Sequence, residues 1–311
     1  MVQPSWPLLE HLWFVMDLDD LRRSGLFAHV EWHAEIGSTN TRALELAGTD
    51  SLPTPILVGA DRQSAGRGRG GNRWWSTEGA LTFSLVLDPT QDFLGTDVPA
   101  LTPAHWPRLS LVAALALCHE LDRLLPGATA QLKWPNDVHV AGRKVAGILV
   151  ETVPGTTNAP RLVLGMGVNV NNSLRNAPPE LHATACSLID LMGGPFAGEG
   201  AAARAPAPSG DPGPGSEPAV DRLPPVDRLK VLCGWMREFT ELAQGLAQDD
   251  PLLPEGWRQR CPLAGRQVSL QAGDRVVSGL CLGIDDSGAL LVDTPSGTER
   301  CFGGVLVRVQ G

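Results

Sequence analysis

The sequence predicts an α+β protein, a mixed β-sheet with helices against it followed by a small all-β unit. Two observations predict it. Through residues 31–190, stretches with strand and helix periodicity are joined by short turns, which favours antiparallel or mixed pairing with helices against the sheet. Beyond residue 261, "GLCLGIDDSGALLVDTPSGTERCFGGVLVRV" holds only short apolar runs separated by Asp-Ser-Gly and Pro-Ser-Gly turns, the pattern of a small barrel. A chain of 311 residues is long enough for one large domain or two unequal ones with a sizeable core.

The elements follow in order. Residues 1–30 read as a peripheral, partly helical N-terminal segment, and residues 31–260 as the main domain. "STNTRALELA" opens with cap-type residues and turns helical. "GALTFSLVLDP" alternates as a strand does. "LSLVAALALCHELDRLL" has the length and apolar face of a core helix. "QLKWPNDVHVAGRKVAGILVETV" reads as two strands joined at Ala141-Gly142, with a bulge or edge where Pro135 interrupts the ladder. "RLVLGMGVNVN" is a buried strand ending in polar residues. Residues 193–225 are nearly all Gly, Ala, Pro and small polar types, the composition of a mobile insertion that cannot bury enough apolar surface to order itself. "VDRLKVLCGWMREFTELAQGL" then resumes as an amphipathic helix, and residues 261–311 form the C-terminal unit.

Composition excludes some classes of function. The formal net charge of −9 argues against nonspecific nucleic-acid binding, which needs an excess of Lys and Arg. The N-terminus lacks the basic region of a signal peptide. The most apolar run, "LSLVAALALC", is about half the ~20 residues needed to span a bilayer. The six cysteines are scattered without a CxxC pair, as expected of reduced thiols in a cytoplasmic protein.

Two stretches carry chemistry. "SAGRGRGGNRWWS" formally matches GxGxxG, but strand-like residues follow where a dinucleotide fold needs a helix. It is no Walker loop either, since no Gly-Lys-Ser/Thr follows. Arg62, Arg67, Arg69 and Arg73 make a basic patch in an acidic protein, glycines let backbone N–H groups approach an anion, and Trp74 or Trp75 could stack on a flat ring. This make-up suits a nucleotide phosphate. The second stretch places Lys133, Asn136, Asp137 and Lys144 within twelve residues on strands that fold back on one another. Asp137 beside two lysines reads as ion-paired, and Lys144 sits between Gly142 and Gly147, where backbone can approach a ligand.

Together with "GSTNTRALELA", "VLGMGVNVNN" and the terminal strands, these motifs resemble the biotin protein ligases, in that family's order and from about residue 31 to the C-terminus. The resemblance implies a catalytic α+β domain akin to class II aminoacyl-tRNA synthetases, with an SH3-like C-terminal barrel. It implies that Ser38, Thr39, Asn40 and Gln63 hold biotin. Arg67, Gly68 and Arg69, following Gly66, belong to a loop closing over biotin and the adenylate phosphate. Lys144, before Gly147, contacts the biotin carboxylate and the reacting phosphate, while Trp74, Lys133, Asn136, Asp137 and Asn169 lie around the nucleotide. Lys144, Arg67 and Arg69 are the expected catalytic residues. ATP, Mg²⁺ and biotin are the implied ligands, with no metal ligands assigned. The implied partner is the biotin carboxyl carrier domain of an acyl-CoA carboxylase; no nucleic acid or membrane partner is expected, and any homodimer is expected to be weak.

The family loop often reads GRGRRGR, so Gly70 and Asn72 here replace arginines. About thirty residues precede the catalytic domain, short of the ~50 expected of an independent DNA-binding domain, so a ligase without repressor function is expected. A lipoate ligase shares the implied fold, but WPND and the arginine loop favour biotin. A biotin-responsive regulator would need a basic recognition helix, where "LEHLWFVMDLDDLRRSGLF" offers only Arg22 and Arg23. A non-catalytic biotin-binding module would not need Lys133, Asp137, Asn169 or the arginine loop.

Overall fold

The computed structural model describes residues 17–49, 52–89, 98–154, 160–193 and 224–310. Residues 1–16 and most of the expected insertion at 193–225 lie outside them. Helix α1 (Leu18–Arg23) opens the described chain with a capping box between Asp17 and Asp20. Leu21, which it carries, and the following Leu26 and Phe27 enter the main hydrophobic core, so residues 17–30 are not peripheral as expected but packed onto the domain that follows.

Strand β1 (His29–Ile36), helix α2 (Thr39–Ala47) and strand β2 (Ile56–Gln63) form a βαβ unit with β1 and β2 parallel. Antiparallel strands follow: β3 (Leu81–Leu87), β4 (Ala130–Lys133), β5 (Asp137–Val140), β6 (Arg143–Val153) and β7 (Arg161–Val168). Together they make a seven-stranded mixed sheet in the order β1-β2-β3-β7-β6-β5-β4. The expected single hairpin over residues 131–153 is therefore three strands. Residues 134–136 are themselves the turn between β4 and β5, which lets Pro135 sit outside the ladder. The expected turn at Ala141-Gly142 joins β5 to β6, with φ of 51° and 74°, the left-handed geometry of a tight hairpin.

Each face of the sheet carries helices. Ala43, Leu46 and Ala47 of α2 pack on Ile56, Val58, Val86 and Val163. On the other face, α3 (Leu109–Leu124) and α6 (Arg228–Ala247) bury Leu57, Phe83, Leu85, Leu164 and Met166, with Phe83, Trp235 and Phe239 in ring contact. Short helices α4 (Pro179–His182) and α5 (Leu188–Met192) lie between β7 and α6, and α7 (Leu253–Gln259) leads out of the domain. No helix among the described residues is long and apolar enough to cross a membrane, and all six cysteines are buried and unbridged.

The C-terminal strands β8 (Gln267–Ala272), β9 (Arg275–Ile284), β10 (Leu290–Thr294), β11 (Gly297–Cys301) and β12 (Val305–Gln310) form an antiparallel sheet in the order β11-β10-β9-β8-β12. Its inward residues Val268, Leu270, Cys281, Leu290 and Val292 are continuous with the main core. The Asp285–Gly288 turn (residues 285–288) is the anchor. Trp134 Nε1 donates to Gly288 O at 3.0 Å, and Trp257 Nε1 donates to Asp285 O at 3.2 Å. Both tryptophans are buried, so these bonds satisfy N–H groups that would otherwise be stranded.

Candidate active site

One cleft of about 220 Å³ opens on the α2 side of the sheet, over β6 and β7. Its floor is bare backbone at Gly147, Gly165 and Gly167. A Cβ added at Gly165 would come within 2.1 Å of Asn40 Oδ1, and one at Gly167 within 2.3 Å of the Trp74 ring. At Gly147 the Lys144 ammonium would lie 3.1 Å from such an atom. Three glycines thus allow three polar or aromatic side chains to lie directly on the strands.

The start of α2 supplies one wall. Ser38 is its N-cap, its side chain accepting from Thr41 N–H at 3.4 Å, so the next two residues are held at the helix N-terminus, pointing at β3 and β6. Thr39 N–H donates to Gln63 Oε1 at 2.8 Å, with the Thr39 hydroxyl 3.2 Å from the same oxygen. Ser84 Oγ lies 2.9 Å from Thr39 Oγ1 and 2.8 Å from Asn40 Oδ1, while Asn40 Nδ2 donates to Glu151. Ser38, Thr39 and Asn40 are all buried. This is a connected polar network against apolar strands, in which the Asn40 amide is oriented by Ser84 and Glu151.

The glycine-arginine loop folds over the cleft as a narrow ribbon. Trp74 N–H donates to Gly66 O at 3.0 Å and Gly68 N–H to Asn72 O at 2.7 Å, bringing the two arms so close that a Cβ at Gly66 would meet Trp74 O at 2.6 Å. The tip turns at Gly70 and Gly71, with φ of 64° and 82°, and Asn72 Nδ2 closes it on Arg69 O at 2.9 Å. The two departures from the arginine-rich family loop thus build a left-handed turn and its side-chain clasp. No helix follows, in keeping with the rejection of a dinucleotide motif.

Charges converge from three directions. Lys144 Nζ lies 2.6 Å from Asp137 Oδ1 and 5.7 Å from the centre of the Trp74 ring, whose Nε1 is buried without a hydrogen-bond partner. Lys144 reaches the cleft through a bulge. Asp137 pairs with Gly147 and Val138 with Ala146, but His139 pairs with Lys144, leaving Val145 extra. Val145 and Ala146 both turn into the core, so Lys144 and Gly147, an odd number of residues apart, share one face. Arg67 forks onto Glu151 at 2.8 and 3.1 Å. Arg69 Nη1 donates to Gly304 O at 2.9 Å, bridging the loop to the C-terminal sheet, and burial there lowers its pKa from the ordinary arginine value.

Most of the residues expected from the sequence therefore meet. Ser38, Thr39, Asn40, Gln63, Arg67, Gly68, Arg69, Trp74, Lys133, Asn136, Asp137, Lys144 and Gly147 all line the cleft. Asn136 does so while tying the 134–136 turn to β6, its Nδ2 donating to Ile148 O at 2.6 Å. Gly66 and Asn169 lie outside the lining. Asn169 is buried behind Lys144, where Nδ2 donates to Cys186 O at 3.1 Å and its Oδ1 accepts from Asn172. Of the expected basic patch, Arg73 lines the cleft, but Arg62 is directed away to Glu35 at 3.0 Å. Trp75 packs against a separate cluster of Leu174, Ala177 and Ala185. Sequence reasoning missed Ser84, Glu151, Gly165, Gly167 and the Gly304–Leu306 segment (residues 304–306). Only the glycines left a signal, as two alternate glycines within the apolar strand "RLVLGMGV".

A basic loop over a glycine floor, joined to a helix-start polar pocket and a strand lysine, defines a site for an anionic ligand with a polar head. Residues 32–169 match the Biotin/lipoate A/B protein ligase family, and residues 264–308 match the biotin protein ligase C terminal domain. The chain is 30% identical to the biotin--[acetyl-CoA-carboxylase] ligase of Mycobacterium tuberculosis, over 89% of this chain and 88% of that protein. It is 31% identical to the enzyme of the same name from Paracoccus denitrificans, over 86% of this chain and 95% of that one. The biotin protein ligase from Aquifex aeolicus in complex with biotin and ATP has the same fold, with a TM-score of 0.66 at 24% identity over 91% of this chain and 99% of that chain. The chain belongs to the Biotin/lipoate A/B protein ligase family and, within it, to the biotin protein ligases, which makes it an enzyme.

Proposed function

We propose that the protein couples biotin to one lysine of a biotin carboxyl carrier domain of an acyl-CoA carboxylase, in two steps within this cleft. The biotin carboxylate attacks the α-phosphorus of ATP, forming biotinyl-5′-adenylate and expelling pyrophosphate. The acceptor lysine amine then attacks the acyl carbon of the mixed anhydride, and AMP leaves. The observation that carries this reading is the meeting of two unlike half-sites in one cleft: the neutral donor–acceptor network of Thr39, Asn40, Gln63 and Ser84, and the cations Arg67, Arg69, Lys133 and Lys144. The first suits a neutral ureido head, whose donors and acceptors need partners once buried. The second suits a carboxylate and phosphates.

In this reading Lys144 stands between the halves, where one ammonium offsets both the biotin carboxylate and the charge growing on the α-phosphate. Trp74, Lys133, Asn136 and Asp137 surround the nucleotide, and Mg²⁺ enters as part of the Mg-ATP substrate. Asn169 acts from behind by holding the chain around Cys186 against Lys144, whose backbone N–H and C=O bond to Thr184 O and Cys186 N. The family relatives named for acetyl-CoA-carboxylase support the acceptor. The test is ATP–pyrophosphate exchange, followed by transfer of labelled biotin to an isolated carboxyl carrier domain. Exchange is expected with biotin and not with lipoate. Lipoate-dependent exchange, or none with biotin, would refute the reading.

A further inference from the structure

We propose that Glu151 is a positioning residue that seats the glycine-arginine loop on the sheet and, with the same carboxylate, fixes the amide of Asn40. The inference rests on the reading above and goes beyond it, because Glu151 lies outside the lining of the cleft and acts there only through Asn40 and Arg67. Gly147, Leu149 and Glu151 alternate along the cleft face of β6. The carboxylate at the end of this row takes both arms of the Arg67 guanidinium, at 2.8 and 3.1 Å, and also accepts from Asn40 Nδ2. One group thereby joins the loop to the helix-start pocket.

The chemistry explains why an ionised carboxylate is needed. Arg67, Arg69, Arg73, Lys133 and Lys144 crowd the lining, where Asp137 supplies a carboxylate and is already engaged by Lys144. Without this second anion Arg67 would face the other cations with its guanidinium unpaired, whereas Arg69 and Arg73 keep backbone acceptors at Gly304 and Ser64. A carboxylate is acceptor-only, so it serves the guanidinium fork and the amide N–H together, which a carboxamide cannot. Asn40 is thereby oriented from both ends, Nδ2 toward Glu151 and Oδ1 toward Ser84 Oγ at 2.8 Å. Losing Glu151 should therefore loosen biotin selection and loop retention together, with little effect on chemistry once both substrates are bound.

Glu151→Gln separates these effects. Biotin KM in the exchange assay and the dissociation rate of biotinyl-adenylate are each expected to rise about tenfold, with kcat at saturating biotin within about threefold. In an Arg67→Ala background, Glu151→Gln should add less than about twofold to the dissociation rate, because its contact there is already lost. A merely structural role would lower the melting temperature without this KM-against-kcat split. Glu151→Asp keeps the charge but withdraws it by one methylene, and is expected to show the same split at smaller size even if the glutamine variant folds poorly. Parental KM and adenylate retention in both variants, or a dissociation-rate effect that adds in full to that of Arg67→Ala, would overturn the proposal. A parent chain without biotin-dependent exchange would take the functional reading with it, whereas an active parent with unaffected Glu151 variants would remove this inference alone.

Discussion

A single methyl group at Gly165 should disable the helix-start pocket. The added Cβ would stand 2.1 Å from Asn40 Oδ1, 2.8 Å from its Cγ and 3.4 Å from Ser84 Oγ. A carbon–oxygen contact needs about 3.2 Å, so roughly 1 Å of overlap must be relieved. Gly165 lies mid-strand between β3 and β6, paired with Ser84 and Leu149, so its backbone has little room to retreat. The Asn40 carboxamide must swing instead, breaking its contact with Ser84 and its charge-assisted bond to Glu151. A neutral bond is worth about 1 kcal/mol and one to a charged group about 1.5–3 kcal/mol, so Gly165→Ala should cost about 2–4 kcal/mol of stability. If the pocket holds the biotin head, biotin KM should rise at least about 30-fold, since each ~1.4 kcal/mol is tenfold. Urea unfolding and the exchange assay measure the two separately. A variant with an unchanged unfolding midpoint and a biotin KM within about threefold of the parent would refute the reasoning, because it would mean that Asn40 is not held where it is described.

Lys144→Ala should slow adenylate formation by about 100-fold or more with the fold retained, and near-normal pyrophosphate exchange would count against its placement. Arg69→Ala removes the bond from the loop to Gly304 O, so biotinyl-adenylate should escape faster and label bystander lysines, as rapid gel filtration would show. Burial first, and then the nearby Lys133, push the His139 imidazole down to about 4, so it stays neutral in the fold while it charges near 6.5 once unfolded. Its contribution is therefore fully present above pH 6.5 and is lost as the pH falls toward 4, an acid-side loss of about 3 kcal/mol that His139→Gln should flatten in denaturant titrations at pH 7 and 4.5.

The elements that were legible in the sequence are those whose signal is local. Ser38 caps α2 because a short hydroxyl side chain precedes a helical run, and Ala141-Gly142 turns the hairpin because both residues take positive φ. The Asp-Ser-Gly and Pro-Ser-Gly turns announce the C-terminal strands for the same reason. What the local signal misses is pairing across the chain. The parallel neighbours β1 and β2 are brought together by α2, and nothing in "HVEWHAEI" or "ILVGADRQ" states that crossover. Arg62 stands in the arginine-rich stretch yet belongs to β2, where strand alternation sends it to Glu35 and away from the loop it seemed to join. Glu151 looks like a solvated charge near a strand end until Arg67, far away in sequence, is folded onto it.

The placement of Lys144 shows where strand periodicity itself fails. A strand repeats every two residues, so Lys144 and Gly147, three apart, belong on opposite faces of β6. Resemblance to a family names both residues for one site but offers no physical route to it. The fold resolves the conflict by pairing His139 with Lys144 and Val138 with Ala146, which leaves Val145 without a partner and turns two consecutive apolar side chains into the core. Two buried residues, Val145 and Ala146, stabilise that irregular register, because a regular ladder would carry Val145 to the polar cleft and bury an ammonium beneath α3. The apolar pair thus acts on the site without touching it. It forces the lysine across to Asp137 and the Trp74 ring, where its charge is held for the anionic substrate proposed above.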